Sequence, residues 1–109
     1  MKRLKIIGVI TTALTISLSS SHLYAAADGG ETYNTYCAVC HKSGLNAAPK
    51  MGKKAFWIKR VAQGKETVYK HSIEGIRGMP PRGGIASLSD EDVKAAVEYM
   101  VGRSGGWGE

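Results

Sequence analysis

Three observations predict an all-α fold. Between Gly29 and Gly102 the apolar residues recur three and four apart, as one face of a helix requires, and no stretch alternates as a half-buried strand would. The strongest breakers, among them Gly44, Pro49, Gly52, Gly64 and Gly75, fall between those stretches rather than inside them. Finally, Cys37-Ala38-Val39-Cys40-His41 sets two thiols three residues apart with an imidazole next to them, an arrangement that converges on one side of a chain only in a helix.

Residues 1–27 read as a secretory leader. Lys2, Arg3 and Lys5 form a positive start, Leu4 to Leu18 an apolar stretch diluted by Thr and Ser, and Ala25-Ala26-Ala27 a small-residue cleavage site. Cleavage is expected after Ala27, with Ala25 as second choice. The alternative is an uncleaved anchor, against which the stretch falls short of the roughly 20 apolar residues that span a bilayer. The domain proper is 28–102. Gly29 to His41 reads as a short helix, with Tyr33 and Cys37 one turn apart. Lys42 to Gly52 is irregular. A helix from Lys54 to Gln63 gathers Trp57, Ile58 and Val61 on one side and ends at Gly64. Lys65 to Glu74 follows, with Tyr69, Ser72, Ile73 and, if it runs on, Ile76 as its stripe, which leaves His71 facing solvent. Gly75 to Leu88 is a Gly- and Pro-rich loop. Ser89 is the expected N-cap of the last helix, because Asp90, Glu91 and Asp92 fill a first turn where carboxylates favour the helix dipole. Val93, Ala96, Val97 and Met100 form its apolar stripe, and Gly102 ends it. Residues 103–109 are rich in glycine and are expected to be a flexible tail, in which the pattern gives Trp107 no role.

C-x-x-C-H is the attachment signature of c-type haem. The Cys37 and Cys40 thiols add across the two vinyl groups, and His41 offers its imidazole to the iron from the same helical turn. A structural zinc site would want four ligands, and there is no second cysteine pair; a redox dithiol would want a βαβ context, which is missing. A domain this small buries little core by itself, and its only two cysteines are committed, so one covalent haem c must supply much of the core. The fold is therefore read as about four short helices wrapped around one covalently bound haem. Export agrees, since haem is attached to such proteins beyond the cytoplasmic membrane; the expected location is periplasmic.

An iron held by His41 needs a sixth ligand or an open site for chemistry. Met100 lies in an apolar stripe and His71 on a solvated face, so core packing and exposure are their expected roles. Met51 stands only ten residues past His41, a short reach to the opposite face of the ring. Met79 fits best: it lies in the loop Gly78-Met79-Pro80-Pro81, 38 residues beyond His41, which is ample chain to circle the haem edge. The prolines stiffen that loop, and a residue before proline is held extended.

Charge is unevenly spread. The whole chain is +6, but the leader holds three of the fifteen basic residues and none of the nine acidic ones, so the remainder is +3. From Lys42 to Arg82 ten Lys/Arg face only Glu66 and Glu74. This is either an unevenly distributed solubilising surface or a basic rim that steers docking onto redox partners with acidic surfaces. The small net charge and the haem motif speak against nucleic acid as a partner.

In order along the chain stand the C-A-V-C-H motif, Gly44-Leu45-Asn46-Ala47-Ala48-Pro49-Lys50, Lys54-Ala55-Phe56-Trp57, Met79-Pro80-Pro81-Arg82-Gly83-Gly84, and Leu88-Ser89-Asp90-Glu91-Asp92 leading into Val93 to Met100. This set resembles the class I cytochromes c, and within them the cytochrome c5 family, over nearly all of the chain after the leader. The resemblance implies that Met79 is the sixth ligand and that Pro49 offers the carbonyl that accepts a hydrogen bond from the ligand histidine. It implies too that Trp57 flanks the haem and that Gly29 and Tyr99 meet where the first and last helices cross. Some members carry an extra cysteine pair near the methionine loop; Gly84-Ile85-Ala86-Ser87 has none. With both axial positions filled, the expected function is one-electron transfer by Fe(III)/Fe(II) cycling, without enzymatic activity. A thioether favours Fe(II) and raises the potential relative to two imidazoles. Lys50 and Lys53 would orient the partner. Membrane contact is expected only indirectly, through respiratory complexes, and the protein as a monomer or weak dimer. The alternatives are a haem protein with a labile sixth ligand, acting as a small-ligand sensor or a peroxidase-like enzyme with His71 and Arg77 as its candidate groups, and a fixed haem subunit of a respiratory complex.

Overall fold

The computed structural model describes Arg3 and residues 8–16 and 27–108. The expected cleavage site falls mostly outside them. Residues 8–16 carry no regular structure, and no helix among the described residues is long and apolar enough to cross a membrane.

The first helix is continuous but not uniform. α1 (Gly29–Thr32) is capped by the Asp28 carboxylate, which accepts from the Glu31 amide at 3.0 Å. A π-helical turn, Tyr33–Cys37, joins it to α2 (Ala38–His41). Such a turn rotates whatever follows it, and it often sits at functional sites. Here it runs from Tyr33, which is buried against α5, to Cys37, the first of the two thiols. Gly44, left-handed at φ 81°, ends the run and donates to the Cys40 carbonyl. A tight 3-10 turn, Leu45–Ala47, crosses the otherwise irregular segment.

α3 (Lys54–Val61) buries Trp57 and Val61. α4 (Lys65–Glu74) is bounded by Gly64 and Gly75, at φ 95° and 87°, where a side chain would be strained. Its innermost residues are Val68 and Ser72, while Tyr69 and Ile73 are half-buried. The true inner face is thus turned about a fifth of a helix turn from the expected stripe, with Ser72 common to both. α5 (Asp90–Gly102) starts with a reciprocal capping box in which Ser89 and Asp92 exchange hydrogen bonds of 3.1 Å. Val93, Ala96, Val97 and Met100 are all buried along it, as is Val101.

α1 crosses α5 so closely that a Cβ built on Gly29 would lie 2.1 Å from the Ala95 carbonyl oxygen. The crossing pair differs slightly from expectation: Gly29 lies on the Ala95–Ala96 backbone, and Gly30 is the residue beside the Tyr99 ring. Tyr99 in turn packs on Tyr33, with ring centroids 5.4 Å apart.

The segment expected to be a flexible tail makes specific contacts. Ser104 is 3 % exposed and hydrogen-bonded on both sides of its hydroxyl. The Trp107 indole donates to Glu98 at 2.9 Å, lies edge-on to Tyr69 and sits under the Lys65 ammonium. Glu98 also accepts from the Tyr69 hydroxyl and pairs with Lys65 at 3.2 Å. Glycine content argues for mobility; one indole and one hydroxyl suffice to hold the chain down.

Candidate functional site

A cavity of about 500 Å³ opens between these elements, lined mostly by apolar side chains. Cys37, Cys40 and His41 reach it from the end of the first helix, Pro49 from the following segment, Trp57 from α3, and Met79 from the loop after α4. Every residue singled out in the sequence as a haem or iron contact therefore lies on one wall or another of a single space.

His41 is the most constrained of them. It is 7 % exposed, and its Nδ1–H donates to the Pro49 carbonyl at 2.9 Å. That bond fixes the tautomer and leaves Nε2 as the ring's free basic atom. Burial holds the imidazole below its ordinary pKa; the Pro49 hydrogen bond works against the shift, and the nearby Arg60 charge adds to it. The ring is thus kept neutral, the form that binds a metal. The Trp57 ring lies 5.9 Å from it, and the indole nitrogen donates to the Lys50 carbonyl at 2.9 Å. The two cysteines are unpaired. Burial raises the Cys37 pKa, and a charge on Cys40 would raise it further, so Cys37 stays a thiol until it reacts.

Met79 is set by its backbone. Ile76 and Met79 exchange two hydrogen bonds, of 2.8 and 2.9 Å, across a tight turn that forces Arg77 to φ 49°. A Cβ on Gly78 would come within 2.9 Å of the Asn46 carbonyl, so this turn lies directly on the Leu45–Ala47 turn. Beyond it, Arg82 donates to the Leu88 carbonyl at 2.9 Å and pairs with Asp90 at 2.6 Å. The loop thus has fastenings at both ends that do not rely on a disulfide.

His71 is a correction. It is half-buried and lines the cavity instead of facing solvent, because the rotated inner face of α4 carries it inward next to Ser72. Met100 is core, as expected, and also touches the cavity. Met51 packs against the core elsewhere and is not part of the cavity wall. Two residues of the site go beyond what the sequence pattern indicates. Arg60 lines the cavity, which its place one turn after Trp57 could have suggested. Ser104 holds Gly52, and nothing in the local pattern signals it.

The site fits a covalently attached haem on its donor chemistry: two free thiols, a neutral imidazole with one nitrogen spent, and a thioether face an apolar cavity. Backbone strain agrees. Asn46, Ala47, Arg77 and Arg82 are the described non-glycine residues in the left-handed region, and all four line this cavity. Such conformations cost energy and cluster at ligand clamps. Fold and site together define a class I c-type cytochrome.

Comparison with known proteins agrees. The family model described as "Cytochrome C oxidase, cbb3-type, subunit III" matches residues 24–100. Cytochrome c-555 of Chlorobaculum tepidum is 44 % identical over 108 residues, spanning 95 % of this chain and 99 % of that one. Cytochrome c5 of Azotobacter vinelandii is 38 % identical over 79 residues, 71 % of this chain and 95 % of that one. Among solved structures, one of an electron transfer complex of nitrite reductase with cytochrome c aligns at TM-score 0.67 and 39 % identity, over 71 % of this chain and 94 % of that one. A mono-haem ferrocytochrome c from Shewanella putrefaciens aligns at TM-score 0.60 and 41 % identity, over 67 % and 90 %. The chain belongs to this family of c-type cytochrome domains and, within it, to the class I cytochromes related to c5 and c-555; it carries one covalent haem c.

Proposed function

We propose that the protein is an exported, mono-haem electron carrier whose iron is closed by His41 and Met79. The observation that carries this reading is the convergence of those two side chains on one apolar cavity from separate, independently fastened segments. The haem supplies reversible one-electron Fe(III)/Fe(II) chemistry. The chain's own part is to hold and shield. Cys37 and Cys40 bind covalently, His41 presents Nε2 while Pro49 fixes its ring, and the turn closed by Ile76 and Met79 holds a thioether in one place for both oxidation states. Trp57 walls the cavity beside His41. No side chain has to move a proton, which is why the reading is a carrier and not an enzyme.

The basic run from Lys42 to Arg82 suits a partner with an acidic docking surface, and one structural neighbour is a cytochrome c bound to nitrite reductase. A periplasmic location follows from the leader reading and from covalent haem attachment, and no membrane contact is needed beyond that of a redox partner. The cavity walls also hold His71 and Arg77, which keeps one rival specific: an iron open to small ligands. Visible spectra of the oxidised and reduced protein, for wild type and Met79→Ala, decide between them. The carrier reading expects a weak far-red sulfur–iron band in oxidised wild type, its loss in the variant, and no carbon monoxide binding by reduced wild type. Ready binding of carbon monoxide by wild type would refute it.

A further inference from the structure

The C-terminal tail is tied to the segment that holds His41, and the connection can be followed atom by atom. Residues 49–52 form a strap with four fastenings. The Pro49 carbonyl accepts from His41 Nδ1 at 2.9 Å, and the Met51 amide donates to the His41 carbonyl at 2.8 Å. The Lys50 carbonyl accepts from the Trp57 indole at 2.9 Å. At the far end the Gly52 amide donates to Ser104 Oγ at 2.8 Å, across 52 residues of sequence. That hydroxyl gives its own proton to the Met100 carbonyl at 2.7 Å, so it is used in both directions while only 3 % exposed. Ser104 cannot drift, because its amide and that of Gly106 both donate to Val101 at 2.9 Å, and Val101 is fully buried in α5.

We propose that Ser104 is a positioning residue for the iron's histidine ligand. Its hydroxyl anchors the strap to the end of α5, and the strap presents the Pro49 carbonyl to His41 at a fixed distance. The strength of the Nδ1–H···O=C bond sets how much electron density the imidazole offers the iron, because outer hydrogen bonds tune ligand basicity. A stiff strap keeps that bond the same in both oxidation states. Replacing the hydroxyl by a hydrogen atom leaves the Gly52 amide and Met100 carbonyl without this partner and frees one end of the strap. The segment after α5 thereby takes part in tuning a site it does not touch. The inference rests on the proposed His41 ligation.

The test uses reduced, diamagnetic holoprotein and proton NMR. In Ser104→Ala, the His41 Nδ1 proton and the Gly52 amide should exchange with solvent at least tenfold faster than in wild type, which corresponds to about 1.4 kcal/mol less protection. The reduction potential should rise, since a weaker hydrogen bond makes the imidazole a poorer donor and Fe(III) less favoured. Trp107→Phe is the control: it loses one tail hydrogen bond, to Glu98, without touching the strap. It should lower the melting temperature and leave both the exchange of these two protons and the potential as in wild type. Equal acceleration in the control, or unchanged Nδ1 exchange in Ser104→Ala, overturns the proposal. Should Ser104→Ala fail to load haem, wild type alone still decides: the two protons should show protection within a few-fold of each other, and a Gly52 amide exchanging a hundredfold faster than Nδ1–H refutes the coupling. Haem-shifted His41 ring signals report ligation separately. Their absence from wild type brings down the axial assignment and this inference with it, whereas their presence beside unchanged exchange in the variant brings down this inference alone.

Discussion

Gly29→Ala tests the geometry on which the whole domain closes. The added methyl would lie 2.1 Å from the Ala95 carbonyl oxygen, 2.6 Å from its carbon and 3.3 Å from the Ala96 nitrogen. These are backbone atoms inside α5, so no rotamer change relieves the contact, and α1 must move away by more than about 1 Å to restore ordinary separation. Overpacking of a closed interface costs about 1–3 kcal/mol, and a clash with backbone belongs at the upper end. Alanine's better helix propensity returns at most about 1 kcal/mol, and less at the first position of a helix. The net loss is about 2 kcal/mol. For a domain of this size each kcal/mol is worth about 4–8 °C, so the melting temperature should fall by about 8–16 °C. Gly102→Ala is the matched opposite. It lies in the last turn of α5 with a right-handed backbone, and no heavy atom comes within 4 Å of the place its methyl would take. It should stabilise by about 0.5–1 kcal/mol, a few degrees upward. Melts of the two oxidised holoproteins followed by far-ultraviolet circular dichroism provide the assay. An unchanged or raised melting temperature for Gly29→Ala would refute the close crossing.

Two further outcomes follow from the structure. At Glu98, burial alone would raise the pKa, but hydrogen bonds from Trp107 and Tyr69 and the Lys65 charge outweigh it and leave the carboxyl below its ordinary value. A depressed folded pKa gives stability that is present above the unfolded value, about 4.3, and is lost as pH falls through the folded one. Melting temperatures taken from about pH 6 down to about pH 3 should therefore drop more for wild type than for Glu98→Gln; parallel curves would show that the carboxylate gains nothing from its partners. The double variant Cys37→Ala/Cys40→Ala, made without haem, should show no cooperative melt, because the cavity it leaves borders Trp57, Val68, Val97 and Met100 of the core. A sharp two-state transition in that variant would contradict a core completed by the cofactor.

Most of the helical frame is legible in the sequence because its signals are local. The Ser89 cap, the acidic first turn and the stripe from Val93 to Met100 announce α5 with no help from the rest of the chain. C-x-x-C-H does the same for the site's first wall. What cannot be read depends on contacts between distant segments. α4 has apolar residues on two sides, Val68 and Tyr69 being adjacent, so periodicity alone does not say which face turns inward, and His71 reads as solvated as a result. The tail misleads for a related reason. Its glycines speak for looseness locally, while the partners that hold it include Gly52 and Lys65, far back along the chain, and Glu98 on the preceding helix. The π-helical turn ending at Cys37 leaves no mark on the apolar spacing.

The strain in the cavity walls links folding to redox chemistry. Asn46 and Ala47 lie in one turn, Arg77 in the turn closed by Ile76 and Met79, and Arg82 in the 3-10 turn Pro81–Gly84 that follows; the first two meet where Gly78 rests on Asn46. A left-handed conformation costs an L-residue roughly 1–2 kcal/mol, though asparagine pays less, so together these positions cost several kcal/mol. That is a large share of the about 5–15 kcal/mol by which an ordinary domain is stable. A chain with so small a core can hold these three turns in place only if contacts across the cavity offset the strain, and a covalently fixed haem cannot leave when the turns loosen. The same contacts then keep the Met79 turn and the Pro49 strap closed through each oxidation and reduction. On this account the site is stiff because the fold is incomplete without its cofactor, and under the proposed ligation a change that frees the turn backbone, such as Ala47→Gly, should weaken the far-red sulfur–iron band before it disturbs the His41 ring signals.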